Sequence, residues 1–153
     1  MKVTLQDWLK NAWLTDHETS PGEIADLLSV IDRDLKDCQT PSLSPDWRLS
    51  IAYNAALQVA IAALAAEGFR PGREAHHYRT IQSPAYTLRL DSNTIAEIDA
   101  FRKKRNISDY ERTGSVSMGE VNEMIAPLPS RYFGQVIASK RRTNQYPQLC
   151  RSS

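Results

Sequence analysis

The sequence predicts an all-α fold, a bundle of about five or six helices. Three observations carry this. Apolar residues recur at three- and four-residue spacing through most of the chain. Two Ser-Pro pairs, at 20–21 and 44–45, have the chemistry of helix starts. No segment of useful length alternates with the period of two that a half-buried strand requires, and no internal repeat is present.

The elements follow in order. "LQDWLKNAWL", residues 5–14, sets Leu5, Trp8, Leu9 and Trp13 at helical spacing. In "SPGE", 20–23, Ser20 caps, Pro21 suits the first helical position and Glu23 completes a capping box. The helix it opens carries Ile24, Leu27, Leu28, Ile31 and Leu35 on one stripe and ends before "CQTPSLS". Ser44 caps the next helix, with Pro45 in its first turn; it runs to about Glu67, and Gly68 is its stop. Ser50, Asn54 and Gln58 form one narrow polar stripe on it. The rest is largely alanine, which lets neighbouring helices approach closely.

"AHHYRTIQS", 75–83, predicts a shorter helix, followed by Pro84 and an irregular bridge. Ser92 is the expected cap of a helix bearing Ile95, Ile98 and Phe101. "ERTGSVS" is a turn, Ser117 caps "MGEVNEMIA", and "PLPSRYFGQVIASKRR" reads as a final helix with Tyr132, Phe133, Val136 and Ile137 inside. The chain divides into an N-terminal helix over 1–19, a helical domain over 20–143 and a loose tail over 144–153.

Composition narrows the function classes. With 153 residues, 41% of them hydrophobic, the chain can bury a real core as one domain. Nineteen basic against 18 acidic residues leave a net charge of +1, so any nucleic-acid contact must come from a local cluster. Cys38 and Cys150 lack metal-ligand spacing and read as free thiols. The N-terminus shows no secretory apolar run, and "AALQVAIAALAA", 55–66, is shorter than the roughly 20 residues a bilayer needs. It is expected to be a buried central helix of a soluble, cytoplasmic protein, with no membrane partner. No glycine-rich phosphate loop is present, neither cysteine has a catalytic partner, and no cofactor or metal is expected. The tryptophans Trp8, Trp13 and Trp47 are read as core anchors.

The candidate site is "FRKKRNISDY", 101–110. On a helical wheel Ile95, Ile98 and Phe101 define the apolar side. Arg105 follows Phe101 by four residues and Arg102 follows Ile98 by four, so both arginines face inward. Lys103, Lys104 and Ile107 point elsewhere. A desolvated guanidinium is costly by several kcal/mol unless paired, and arginine is well suited to hold a phosphate in a partly closed site. The alternative is an internal pair between Arg105 and Asp109, four residues on, with Asn106 and Tyr110 capping the helix end and filling core.

"RKKRNISDYE" followed by "GSVSMGEVNEMI" resembles the HEPN domain, a nucleotide- and RNA-binding helical domain of prokaryotic toxins and defence proteins. "AYNAALQVAIAALAAEGFRPG", 52–72, is similar to the long Ala-rich helix of that family and its Gly-aromatic-Arg exit. "AHHYRTIQS" is similar to its short helix with leading histidines. The similarity covers residues 20 to 140. The family's ribonuclease motif is an arginine, commonly a following Asn, Asp or His, and a histidine four to six residues on. Arg105 and Asn106 match; Tyr110 stands where the histidine would be.

That departure bears on the chemistry. Cleavage of RNA without metal needs a base for the ribose 2′-OH and an acid for the leaving 5′-oxygen, and histidine does either near neutral pH. Tyrosine, with an ordinary pKa of about 10, is a poor base but could orient the 2′-OH or donate a proton. Arg105 could stabilise the phosphorane charge. His76 and His77 read first as capping and packing residues; being adjacent, they cannot both face one site, yet either could reach the cleft beside Arg105. With Arg102 they complete the expected substrate-binding set. His17 sits in a loop, and Arg73 and Arg79 read as solvated.

The resemblance implies a homodimer whose two Arg105–Tyr110 motifs face one cleft, binding RNA or a nucleotide, in a toxin–antitoxin or phage-defence system. It also implies a nucleotidyltransferase antitoxin as partner, with Tyr110 as the candidate modified residue. Two functional expectations stand. The chain is a metal-independent endoribonuclease, or it has lost that activity with the histidine and serves as a binding or adaptor module.

Overall fold

The computed structural model describes residues 3–73, 77–110 and 116–128, with 106–110 described as helix backbone. The chain is mostly helical, an all-α bundle with a minor two-stranded sheet. The helices are α1 (Leu5–Lys10), α2 (Pro21–Asp37), α3 (Pro45–Ala66), α4 (His77–Gln82), the single turn α5 (Pro84–Thr87), α6 (Ser92–Tyr110) and α7 (Met118–Ile125). The strands are β1 (Leu14–Asp16) and β2 (Phe69–Pro71). Residues 111–115 of the expected turn, the expected final helix beyond Leu128, the expected tail over 144–153 and Cys150 lie outside the described residues.

The centre is α3. It packs against α2, α4, α5, α6 and α7, and alanines at 52, 55, 56, 60, 62, 63 and 65 are all buried on it. Small side chains let several helices reach one axis at once. By length and composition α3 is apolar enough to cross a membrane, but 67% of its most apolar stretch is buried against the rest of the chain. Ile31, Leu35, Leu49, Val59, Ile81, Ile98, Phe101, Val121 and Leu128 close the main core around it. A second, smaller cluster gathers Trp8, Leu14 and Leu64 at the far end of α3.

The two Ser-Pro starts form as expected. Ser20 accepts from the Glu23 amide and Ser44 from the Trp47 amide. Glu23, however, does not close a capping box. Both of its carboxylate oxygens lie 2.8 Å from His17 Nε2, so the side chain is drawn out of the helix to the preceding loop. Ser117 caps α7 by accepting from the Glu120 amide. The cap of α6 is one residue earlier than expected: Asp91 accepts from the Thr94 amide at 2.7 Å, and Ser92 is already helical. A carboxylate at this position also suits the positive end of the helix dipole.

Three further expectations are corrected. The first helix stops at Lys10, because Trp13 and Leu14 turn into β1, which pairs antiparallel with β2 at Leu14–Pro71, Thr15–Arg70 and Asp16–Phe69. The return to β2 needs two glycines. Gly68 has φ +88°, a left-handed stop after α3. At Gly72 a Cβ would meet the Ala12 carbonyl oxygen at 2.4 Å, so only hydrogen fits where the two backbones approach. Trp47 is 64% exposed on the first turn of α3 and anchors no core. The bridge after Pro84 contains the helical turn α5.

Candidate functional site

The site is built where α3, α4 and α6 meet. Helix α6 turns its Ile98–Phe101 face into the core and carries Arg102 and Arg105 along the edge of that face, both half-buried. From α3, Tyr53 comes up beneath them, only 3% exposed. Helix α4 adds His77 and Tyr78 from the third side.

Tyr53 is the hub. The Arg105 guanidinium lies over its ring, 5.1 Å from the centroid, within the range of a cation–π contact. The His77 ring centroid is 6.0 Å from the same ring, tilted by 53°. The Tyr53 hydroxyl is enclosed and has no hydrogen-bond partner among the described residues. Burial raises the pKa of the phenol, against the pull of Arg105 and Arg102, so it stays protonated. A buried hydroxyl without a partner costs about 1–3 kcal/mol; its retention here is unexplained by the packing alone.

Arg102 is held differently. Its Nε donates to Asp99 Oδ1 at 2.7 Å, one turn back on α6, and its NH2 donates to Oδ2 at 3.4 Å. Asp99 is itself 5% exposed and also meets Lys103 Nζ at 3.6 Å. The Asp99 hydrogen bond raises the pKa of Arg102, fixing it as a cation. Its guanidinium sits 5.3 Å from the Tyr78 ring centroid, and that ring is exposed. One carboxylate therefore faces Arg102 and Lys103, and Arg105 adds a further positive charge. Lys104 is turned away and pairs with Glu120 on α7 at 2.6 Å.

These charges act on His77. The residue is open to solvent, but the side of its ring toward Tyr53 is covered. That partial burial comes first, then the Arg105 and Arg102 charges, and together they lower its pKa. The imidazole is thus neutral at neutral pH and able to accept a proton.

Of the residues singled out in the sequence, the structure brings Arg102, Arg105 and His77 together. His76 lies outside the described residues, as do the side chains of Asn106, Tyr110 and Asp109. Arg79, read as solvated, instead stacks over the Trp13 ring at 3.4 Å and ties α4 to the N-terminal turn. Sequence reasoning missed Tyr53, Tyr78 and Asp99. Asp99, three residues before Arg102, had a usable signal in its spacing. Tyr53 had a weaker one, a lone phenol in an alanine-rich helix. Compared with protein-family models, curated proteins and solved structures, the chain matches none.

Proposed function

We propose that this chain is a HEPN-like protein that binds RNA or a nucleotide at the Arg102–Arg105–His77 cluster and cleaves RNA without a metal ion. The observation that carries the reading is the shared seat on Tyr53. The Arg105 guanidinium and the His77 imidazole both rest against that ring, a cation of the kind that suits phosphate and a group able to take a proton. This supplies a base that the Tyr110 position in the motif lacks.

In the proposed reaction the ribose 2′-OH gives its proton to His77 as its oxygen attacks phosphorus. The bond from phosphorus to the 5′-oxygen breaks, leaving a 2′,3′-cyclic phosphate and a free 5′-OH. Arg105 stabilises the negative charge that builds on the phosphorane oxygens. Tyr110 donates the proton to the departing 5′-oxygen and regains one from solvent, as His77 gives up the one it took. A homodimer that sets two such clusters across one cleft would double the local positive charge, so a net charge near zero is compatible with RNA binding.

The test uses the full chain with single-stranded RNA in EDTA. Cleavage that leaves cyclic phosphate ends, and that falls at least about a hundredfold in Arg105→Ala and in His77→Ala, supports the reading, since general-base catalysis alone is worth about 10²–10⁴. Cleavage untouched by Arg105→Ala, or no RNA binding at all, overturns it. The adaptor reading draws on one feature, a phenol where the motif has an imidazole. RNA bound but left intact, with binding lost in Arg105→Ala, selects that reading and a nucleotidyltransferase as the partner to seek.

A further inference from the structure

We propose a second binding site, independent of the first, in which Arg48 receives an oxyanion, either a carboxylate or a phosphate group. Arg48 lies one turn into α3 and is 5% exposed. Its Nε donates to the Cys38 carbonyl at 2.7 Å, and its NH1 reaches the Met118 sulfur at 2.8 Å. A carbonyl and a thioether orient the guanidinium but supply no negative charge, and thioether sulfur is a weak acceptor. Among the described residues no carboxylate lies within ion-pair distance of Arg48.

The nearby acids are already committed or turned away. Asp34 is taken by Arg33 and Asn54. Glu120 is taken by Lys104. Asp37 is exposed on the last turn of α2 and makes no ion pair with Arg48. A cation taken out of water without a counter-charge costs several kcal/mol, and arginines this deeply buried are almost always paired. None of the described carboxylates relieves that penalty; an anion in the adjoining pocket would.

There is room for one. Arg48 lines a pocket of about 230 Å³ between the end of α2, the start of α3 and α7, together with Gln39, Asn122, Ile125 and Ala126. Ile125 gives the pocket an apolar wall. Gln39 donates its amide to the Leu35 carbonyl, which fixes the side chain at the rim. Asn122, exposed, lines the same pocket and brings a second amide. The guanidinium lines this small pocket together with two side-chain amides, and its Nη2, which donates to neither Cys38 nor Met118, is suited to an oxygen of a carboxylate or phosphate.

The experiment follows side-chain amide signals of Asn122 and Gln39 by NMR in the full chain. Sodium phosphate and sodium acetate are titrated separately, against sodium chloride at matched ionic strength. We expect saturable shifts of these signals with at least one oxyanion and none with chloride. Phosphate alone would identify a phosphoryl ligand, acetate alone a carboxylate, and both a general oxyanion seat. Asn122→Asp, an exposed change that does not threaten the fold, should weaken the response about tenfold or more by like-charge repulsion, and Arg105→Ala should leave it intact. No saturable shift with either oxyanion, or a response unchanged in Asn122→Asp, overturns the proposal. The Arg105→Ala control separates this site from the RNA-binding cluster, whose failure would leave it standing.

Discussion

The guanidinium of Arg105 rests over the ring of Tyr53, at 5.1 Å from its centroid, and so joins α6 to the central helix at the edge of the core. The contact places a cation beside an aromatic face that is almost wholly withdrawn from water. Cation–π attraction of this kind contributes about 0.5–2 kcal/mol, more as the pair is desolvated. It also limits where the guanidinium can go, which is the property a phosphate site needs.

The Tyr53 ring and its hydroxyl should separate cleanly. Tyr53→Phe keeps the face under Arg105 and removes an enclosed oxygen that has no partner among the described residues, so we expect unfolding free energy to rise by about 1 kcal/mol with RNA binding retained. Tyr53→Leu removes the face, and binding should fall with it. Urea unfolding and RNA affinity measured on both variants check this; a Tyr53→Phe protein clearly less stable than the parent would show that the hydroxyl is satisfied.

Arg105→Lys keeps the charge and loses the planar fork. If Arg105 clamps a phosphate, affinity for RNA should drop about tenfold while the salt dependence of binding stays close to the parent's, because the number of neutralised phosphates is unchanged. Arg105→Ala should weaken binding further and flatten the salt slope by about one charge. Filter binding across a salt series distinguishes the two.

His77 makes stability depend on pH with a defined sign. Its pKa in the folded chain lies below the ordinary 6.5, so near and below that value the unfolded chain binds more protons than the folded one. The contribution is fully present above pH 6.5 and is lost as pH falls toward the folded value. Unfolding free energy should therefore decline on acidification through that window, and His77→Asn should decline less. Denaturant titrations at a series of pH values measure it.

At Gly72 the structure leaves no space for a side chain. With a Cβ aimed at the Ala12 carbonyl oxygen at 2.4 Å, Gly72→Ala forces the β1–β2 pair apart or shifts its backbone. Overpacking of this kind costs about 1–3 kcal/mol. Thermal unfolding should show the loss, while Gly119→Ala, where nothing lies within 4 Å of an added Cβ, should be stabilising by about 0.5–1 kcal/mol.

Breaking the polar bridge between α2 and α3 should be costly. Asn54 Nδ2 donates to Asp34 Oδ2 at 2.6 Å, and Arg33 holds the other oxygen. Asn54→Leu leaves half of a buried carboxylate without a donor, and we expect a loss of about 1–3 kcal/mol. Asp34→Asn in the Asn54→Leu background should recover part of it, since the group left behind is then neutral. A double-mutant cycle by urea unfolding reads the coupling.

What the sequence determined by itself is the part of this protein that rests on local rules. The Ser20 and Ser44 caps, the Gly68 stop and the buried alanine face of α3 each follow from interactions within a few residues, and a 3.6-residue period reports them directly. The inward edge position of Arg102 and Arg105 was legible for the same reason. Only the tertiary structure decided the rest. Three-residue strands are too short to display a period, so β1 and β2 exist because α3 and the N-terminal turn bring them side by side. Glu23 left its helix for His17, and Trp47 was left outside, because the neighbours that could claim each side chain are set by the packing of distant segments. The meeting of Tyr53, His77 and Arg105 across three helices is of the same kind: sequence spacing fixes which face of a helix a side chain takes, and only packing fixes what stands opposite that face.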